Sequence, residues 1–81
     1  MAKLSQVSGR DVIRLLESLG YFVVRRRGSH VQLRKLIVSG RHNVTVPDHK
    51  VIAKGTLNDI LAVVGVRNGI AKQDLIKRLR G

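Results

Sequence analysis

Three arginines, a turn signal and a histidine stand in one run, Arg25-Arg26-Arg27-Gly28-Ser29-His30. Imidazole exchanges protons near neutral pH without help from its surroundings. Guanidinium groups offer phosphate oxygens a planar fork of donors. A histidine beside clustered arginines therefore points to acid–base chemistry on a phosphodiester. The plain alternative is a basic hairpin whose histidine is one more solvated polar side chain. The choice between them turns on which face His30 takes and what shares that face.

Other chemistries find little support. His30, His42 and His49 have no regular metal-ligand spacing and acidic residues are few, so no metal and no other cofactor is expected. The chain has no cysteine, hence no disulfide framework and no thiolate site. It has neither a nucleophile elbow nor a glycine-rich phosphate loop. RNA needs none of these, because its own 2′-OH is a nucleophile. What it needs is a base for that hydroxyl, an acid for the leaving 5′-oxygen and cations for the phosphorane. His30 suits the first or second task, and Arg25, Arg27 or Arg34 the third. Positioned proton transfer contributes roughly 10²–10⁴-fold, or about 3–5 kcal/mol of barrier. The second proton carrier is left open between His42, His49 and neither.

The elements that must hold these residues are legible in order. After a short lead-in, Met1 to Val7, Ser8 and Asp11 have the spacing of a capping box. Val12, Leu15, Leu16 and Leu19 then form the apolar stripe of a helix of about 10–12 residues that ends on Gly20. Tyr21-Phe22-Val23-Val24 opens the first strand. Strict alternation puts Phe22, Val24 and Arg26 on one face and Tyr21, Val23, Arg25 and Arg27 on the other. Gly28-Ser29 is a tight turn. In the second strand Val31 and Leu33 point to the core, leaving His30, Gln32 and Arg34 on the polar face. Ser39-Gly40 is a second turn signal, and Asn43 to Val46 the third strand, closed by Pro47.

A connector with His49, Lys50 and Lys54 leads to a second capping-box spacing, Thr56 to Asp59. The stripe Leu57, Ile60, Leu61, Val64 predicts a second helix closed by Gly65. Its N-terminus, with Lys54 just upstream, has the free N–H groups of an anion site. Leu75, Ile76 and Leu79 predict a short third helix, with Lys77, Arg78 and Arg80 at its end and no side-chain cap at Ala71. Helix, three-stranded antiparallel meander, helix and short C-terminal helix make an α+β layer whose outer sheet face is open and cationic.

Composition fits this reading. A chain of 81 residues is expected to form one domain, 1–81. Its 16 Lys and Arg against 5 Asp and Glu give +11 on a small body, which calls for a polyanionic partner, nucleic acid first. Aromatic residues are only 2%, which disfavours a broad base-stacking platform. No signal-peptide or membrane-length apolar run is present, so the expectation is a cytoplasmic protein with no membrane partner.

In order, Val12-Ile13-Arg14-Leu15-Leu16 with Gly20-Tyr21, Arg-x-x-Gly-Ser-His at Arg25 to His30, Val44-Thr45-Val46-Pro47, and Lys54-Gly55-Thr56-Leu57 before Ile60-Leu61 resemble the HicA toxins. These are small mRNA interferases of toxin–antitoxin systems. The resemblance covers most of the chain. It implies a double-stranded-RNA-binding-domain-like fold, metal-independent cleavage of mRNA with His30 as the essential histidine, and inhibition by a HicB-type antitoxin. The phosphate-binding residues expected are Arg25, Arg27, Ser29, Arg34, Lys54 and Thr56. Leu36 to Arg41 is more apolar than the family's second hairpin. A different class, a non-catalytic double-stranded-RNA-binding module, accounts for the same basic surface, with His30 as a mere contact. A basic adaptor for an acidic protein is the third reading.

Overall fold

Ser8 starts the fold as its spacing predicts. Its hydroxyl accepts from the Asp11 N–H at 3.0 Å, and the Asp11 carboxylate accepts from the Ser8 N–H at 3.1 Å. Helix α1 runs Gly9–Ser18. It closes on Gly20, whose φ of +100° suits glycine, with Gly20 N–H on the Glu17 carbonyl and Tyr21 N–H on the Leu16 carbonyl. The strands follow as β1 (Phe22–Arg27), β2 (His30–Ile37) and β3 (Gly40–Pro47), then the helices α2 (Lys54–Asn68) and α3 (Lys72–Arg80). This computed structural model describes residues 6–80. Residues 1–5 of the lead-in, Gly81 and the Arg80 side chain lie outside the described residues.

The sheet is an antiparallel meander in the order β1-β2-β3. One face is buried: Val31 and Leu33 of β2 and Val44 and Val46 of β3 join Val12, Leu15 and Leu16 of α1. Leu57, Ile60, Leu61 and Val64 of α2 and Leu75 of α3 complete this core. The architecture is the expected α+β layer, with the helices on one face and a double-stranded-RNA-binding-domain-like order. Among the described residues no helix is long and apolar enough to cross a membrane.

Four expectations are corrected. First, β1 begins at Phe22, and its alternation is broken. Val23 pairs with Leu33 but Arg25 pairs with Gln32, so Val24 is an extra, bulged residue. Phe22 therefore shares the outer face with Arg25 and Arg27, while Arg26 turns to the helix side. Second, β3 starts three residues earlier than Asn43, because Leu36 pairs with Arg41 and Ile37 with Gly40 across the Val38-Ser39 turn. Third, α2 starts at Lys54 with Ala53 at its cap and no side-chain bond there. Thr56 thus sits inside the first turn. Ala53 to Thr56 are exposed, so water can satisfy the free N–H groups that a Thr56 cap would have served. Fourth, α2 passes through Gly65 and closes on Gly69 at φ +63°. Gly65 is buried, and a Cβ there would lie 2.8 Å from the Ile70 carbonyl oxygen. Its absent side chain lets the turn into α3 fold back on the helix. Ile70 N–H donates to the Gly65 carbonyl at 3.0 Å.

Gly9 has the least room for a side chain of the described glycines. A Cβ would meet the Pro47 carbonyl oxygen at 2.3 Å and Asp48 Cα at 2.6 Å, and Gly9 N–H donates to the His49 carbonyl at 2.8 Å. The start of α1 thereby clamps the segment that leaves β3. Because the obstacle is backbone, Gly9→Ala is expected to lose about 1–3 kcal/mol, a Tm drop of at least about 4 °C in a domain this size. Gly55→Ala, where nothing lies within 4 Å of the added Cβ, is expected to be neutral or to gain up to about 1 kcal/mol. Thermal melts of the two variants check both.

Candidate active site and nucleic-acid interface

The outer sheet face is built in rows by strand pairing. Arg27 lies opposite His30, and His30 opposite Pro47. Arg25 lies opposite Gln32, and Gln32 opposite Thr45. These two rows enclose a shallow hollow of about 170 Å³ lined by Arg25, Arg27, His30, Gln32 and Thr45. The bulge at Val24 lets Arg25 and Arg27 share this face with Phe22 while Val23 lies opposite Leu33 on the helix side.

His30 is exposed at the first position of β2. The turn before it needs φ > 0 at its first central residue, and Gly28 supplies +59°. Ser29 is tied to the segment after β3 twice. Its carbonyl accepts from the Asp48 N–H at 2.6 Å, and its hydroxyl lies 3.3 Å from His49 Nε2. Arg26, turned away from the hollow, pairs with Asp48 at 3.0 Å. This pair is largely solvated and contributes orientation more than stability. A chain of contacts thus runs from Gly9 through Pro47, Asp48 and His49 to Ser29 and the backbone beside His30.

The remaining expected site residues are spread more widely. Arg34 is on the same outer face, one row beyond the hollow, and its Nε donates to Asn43 Oδ1 at 2.9 Å. Lys54 and Thr56 are exposed in the first turn of α2 and do not line the hollow. Gln32 and Thr45 were not among the expected site residues, although β-alternation on either side of Val31, Leu33, Val44 and Val46 points both of them outward. Among the described residues no group of three or more His, Cys, Asp or Glu side chains could hold a metal ion.

The two histidines left open by the sequence part company. His49 is exposed and touches Ser29. His42 is buried on the helix side of β3, in line with Val44 and Val46, and so on the wrong face of the sheet to reach the hollow. The Tyr21 hydroxyl accepts from Asn68 Nδ2 at 3.0 Å and lies 2.6 Å from His42 Nδ1, and with neutral His42 it can donate to that nitrogen. Burial, and after it the charge of Arg67, lower the His42 pKa below the ordinary 6.5.

The fold is a double-stranded-RNA-binding-domain-like layer, and its open sheet face gathers His30 with Arg25 and Arg27. The chain belongs to the HicA toxin family of bacterial toxin–antitoxin systems, whose family model matches residues 9–66. That match spans well over half of the chain, from the start of α1 into α2. No curated protein and no solved structure matches it.

The His42 arrangement carries a pH dependence. A pKa lowered on folding means that the unfolded chain binds the proton first as pH falls. The contribution of neutral His42 is therefore complete above pH 6.5, the unfolded value, and is lost as pH falls through the lower folded value. Urea unfolding at stepped pH from about 7.5 to about 5 is expected to show stability declining in this window. The decline is expected to be shallower in His42→Asn, which cannot take up the proton.

Proposed function

We propose that this chain is an endoribonuclease that cleaves mRNA without a metal, and that a HicB-type antitoxin restrains it. The observation that carries the reading is the gathering of Arg25, Arg27 and His30 around one hollow on the open sheet face. Membership of a toxin family of toxin–antitoxin pairs supports it.

In this reading the substrate's 2′-OH attacks the adjacent phosphorus, and the bond from phosphorus to the 5′-oxygen breaks. The products are a 2′,3′-cyclic phosphate and a 5′-hydroxyl. One proton leaves the 2′-oxygen and one is delivered to the 5′-oxygen. His30 performs one of these transfers as base or acid. In this reading His49 is the second carrier, supported by its exposed ring lying 3.3 Å from the hydroxyl of Ser29, the residue before His30. Arg25 and Arg27 balance the charge that builds on the phosphorane oxygens, and the Ser29 hydroxyl is assigned a phosphate oxygen in the same reading. Arg34, Lys54 and Thr56 hold neighbouring phosphates of the same strand, the latter two with the free N–H groups at the start of α2. The +11 charge draws RNA in and makes binding fall steeply with salt. An acidic antitoxin face laid over the hollow would block the site.

The test is cleavage of a long single-stranded RNA in EDTA by wild type and by His30→Ala, with a melt to show that the variant is folded. The wild type is expected to cut and His30→Ala to lose at least about 10²-fold. Equal cutting by both removes His30 from the chemistry. If neither cuts while both retain RNA, the protein is a non-catalytic double-stranded-RNA-binding module.

A further inference from the structure

The outer face does not end at the hollow. The next row along β2 is Phe22, Arg34 and Asn43: Phe22 pairs with Arg34, and Arg34 with Asn43. Two residues of strand separate this row from the Arg25 and Gln32 row, about 6.5–7 Å, and four separate it from His30, about 13–14 Å. The nearer distance is within the span between the base and the phosphate of a single nucleotide, and the farther one reaches the next phosphate along the strand.

The chain has two rings of the Phe, Tyr and Trp class. Tyr21 is buried in the His42 network, so Phe22, 45% exposed, is the ring that remains available at the surface. It stands on the site face because of the same bulge that brings Arg25 and Arg27 there. Beside it, the Arg34 Nε bond to Asn43 Oδ1 fixes the guanidinium and leaves its Nη donors free. The oxygen is the atom of the Asn43 amide that is engaged, and its N–H donors have no partner among the described residues. An apolar ring for stacking next to a fixed set of donors is the equipment for holding one unpaired base. Such donors meet acceptors on a base edge.

We infer that Phe22, Arg34 and Asn43 form a subsite for a single nucleobase of the RNA, flanking the phosphate held at Arg25, Arg27 and His30. The inference rests on RNA being the ligand of this face, as proposed above. One ring holds one base, so the subsite fixes the register of a flexible strand rather than tracking many nucleotides. Arg34 gains a second task, positioning a base edge as well as attracting phosphate.

The experiment uses the His30→Ala protein, so that binding is read without cleavage, and a set of short single-stranded RNA oligomers with one abasic position moved along each. Affinity by fluorescence anisotropy is expected to fall about ten- to a hundredfold for one abasic position relative to the others. Adding Phe22→Ala is expected to erase that positional penalty while the salt dependence, which counts phosphate contacts, stays the same. Because Phe22 is on the outer face, a melt should show the variant folded. Phe22→Trp is expected to restore the penalty. No positional penalty, or one that Phe22→Ala leaves in place, overturns the subsite. Wild-type cleavage is read separately. A positional penalty that depends on Phe22 in a protein that does not cut leaves the subsite standing and removes the ribonuclease. Cutting without such a penalty does the reverse.

Discussion

In a β-sheet a side chain's face is set by counting, because successive residues point to opposite sides. A residue can change sides only where the count changes. In β1 it changes at Val24, and everything on the outer face depends on that one insertion. Before the bulge Val23 lies opposite Leu33 on the helix side, half exposed at the sheet edge. After it Arg25 and Arg27 lie over Gln32 and His30. Without the extra residue and with Val23 kept opposite Leu33, Arg25 and Arg27 would turn to the helix side with Val23. The alternative register would bring the arginines out and carry Val23 out with them, leaving Leu33 without its neighbour. The bulge satisfies both demands, and it adds local twist at an edge strand where an unpaired backbone group can meet water.

Pairing sets the face, but the position of His30 along it depends on contacts through the backbone. The Gly28-Ser29 turn would be free to rock if it were held by strand pairing alone. Instead the Ser29 carbonyl is bonded to the Asp48 N–H, and the same segment is pressed on α1 at Gly9. Since α1 is anchored by Val12, Leu15 and Leu16, the rigidity of the core reaches the turn through one short run, Pro47 to His49. Functional groups on a loop need such support from rigid elements. Here it comes from the glycine that permits the approach, together with the proline that ends β3.

Much of this was legible in the sequence. The Ser8 and Asp11 spacing, the Gly20 stop, the helical stripes and the outward position of His30 all follow from local patterns that tertiary packing reinforces. The bulge was not legible, because Tyr21 to Arg27 holds no glycine or other local mark at Val24. It appears only in the pairing with β2, where Arg25 meets Gln32 and Val23 meets Leu33. The end of α2 was misplaced for a related reason. Gly65 and Gly69 each follow the apolar stripe, and only the close approach of Ile70 distinguishes a packing glycine from a capping one. Thr56 has the right spacing for a cap, but an exposed helix start does not need one. His42 could have been placed from the outset. It shares the parity of Val44 and Val46, and that inward pattern says that it serves the core.

Charge alone would make this surface attractive to any polyanion. Attraction between exposed groups decays over a Debye length of about 8 Å at physiological salt, and it does not distinguish one phosphate from the next. A catalytic histidine acts only on the phosphate that stops beside it, so an all-cationic face would hold RNA in many registers and place few of them productively. Short-range contacts must select among them. On this sheet the only row that combines an exposed ring with fixed donors adjoins the hollow. The bulge puts Arg25, Arg27 and Phe22 on one face, so under the proposed function a single insertion in β1 serves both the attraction and its register.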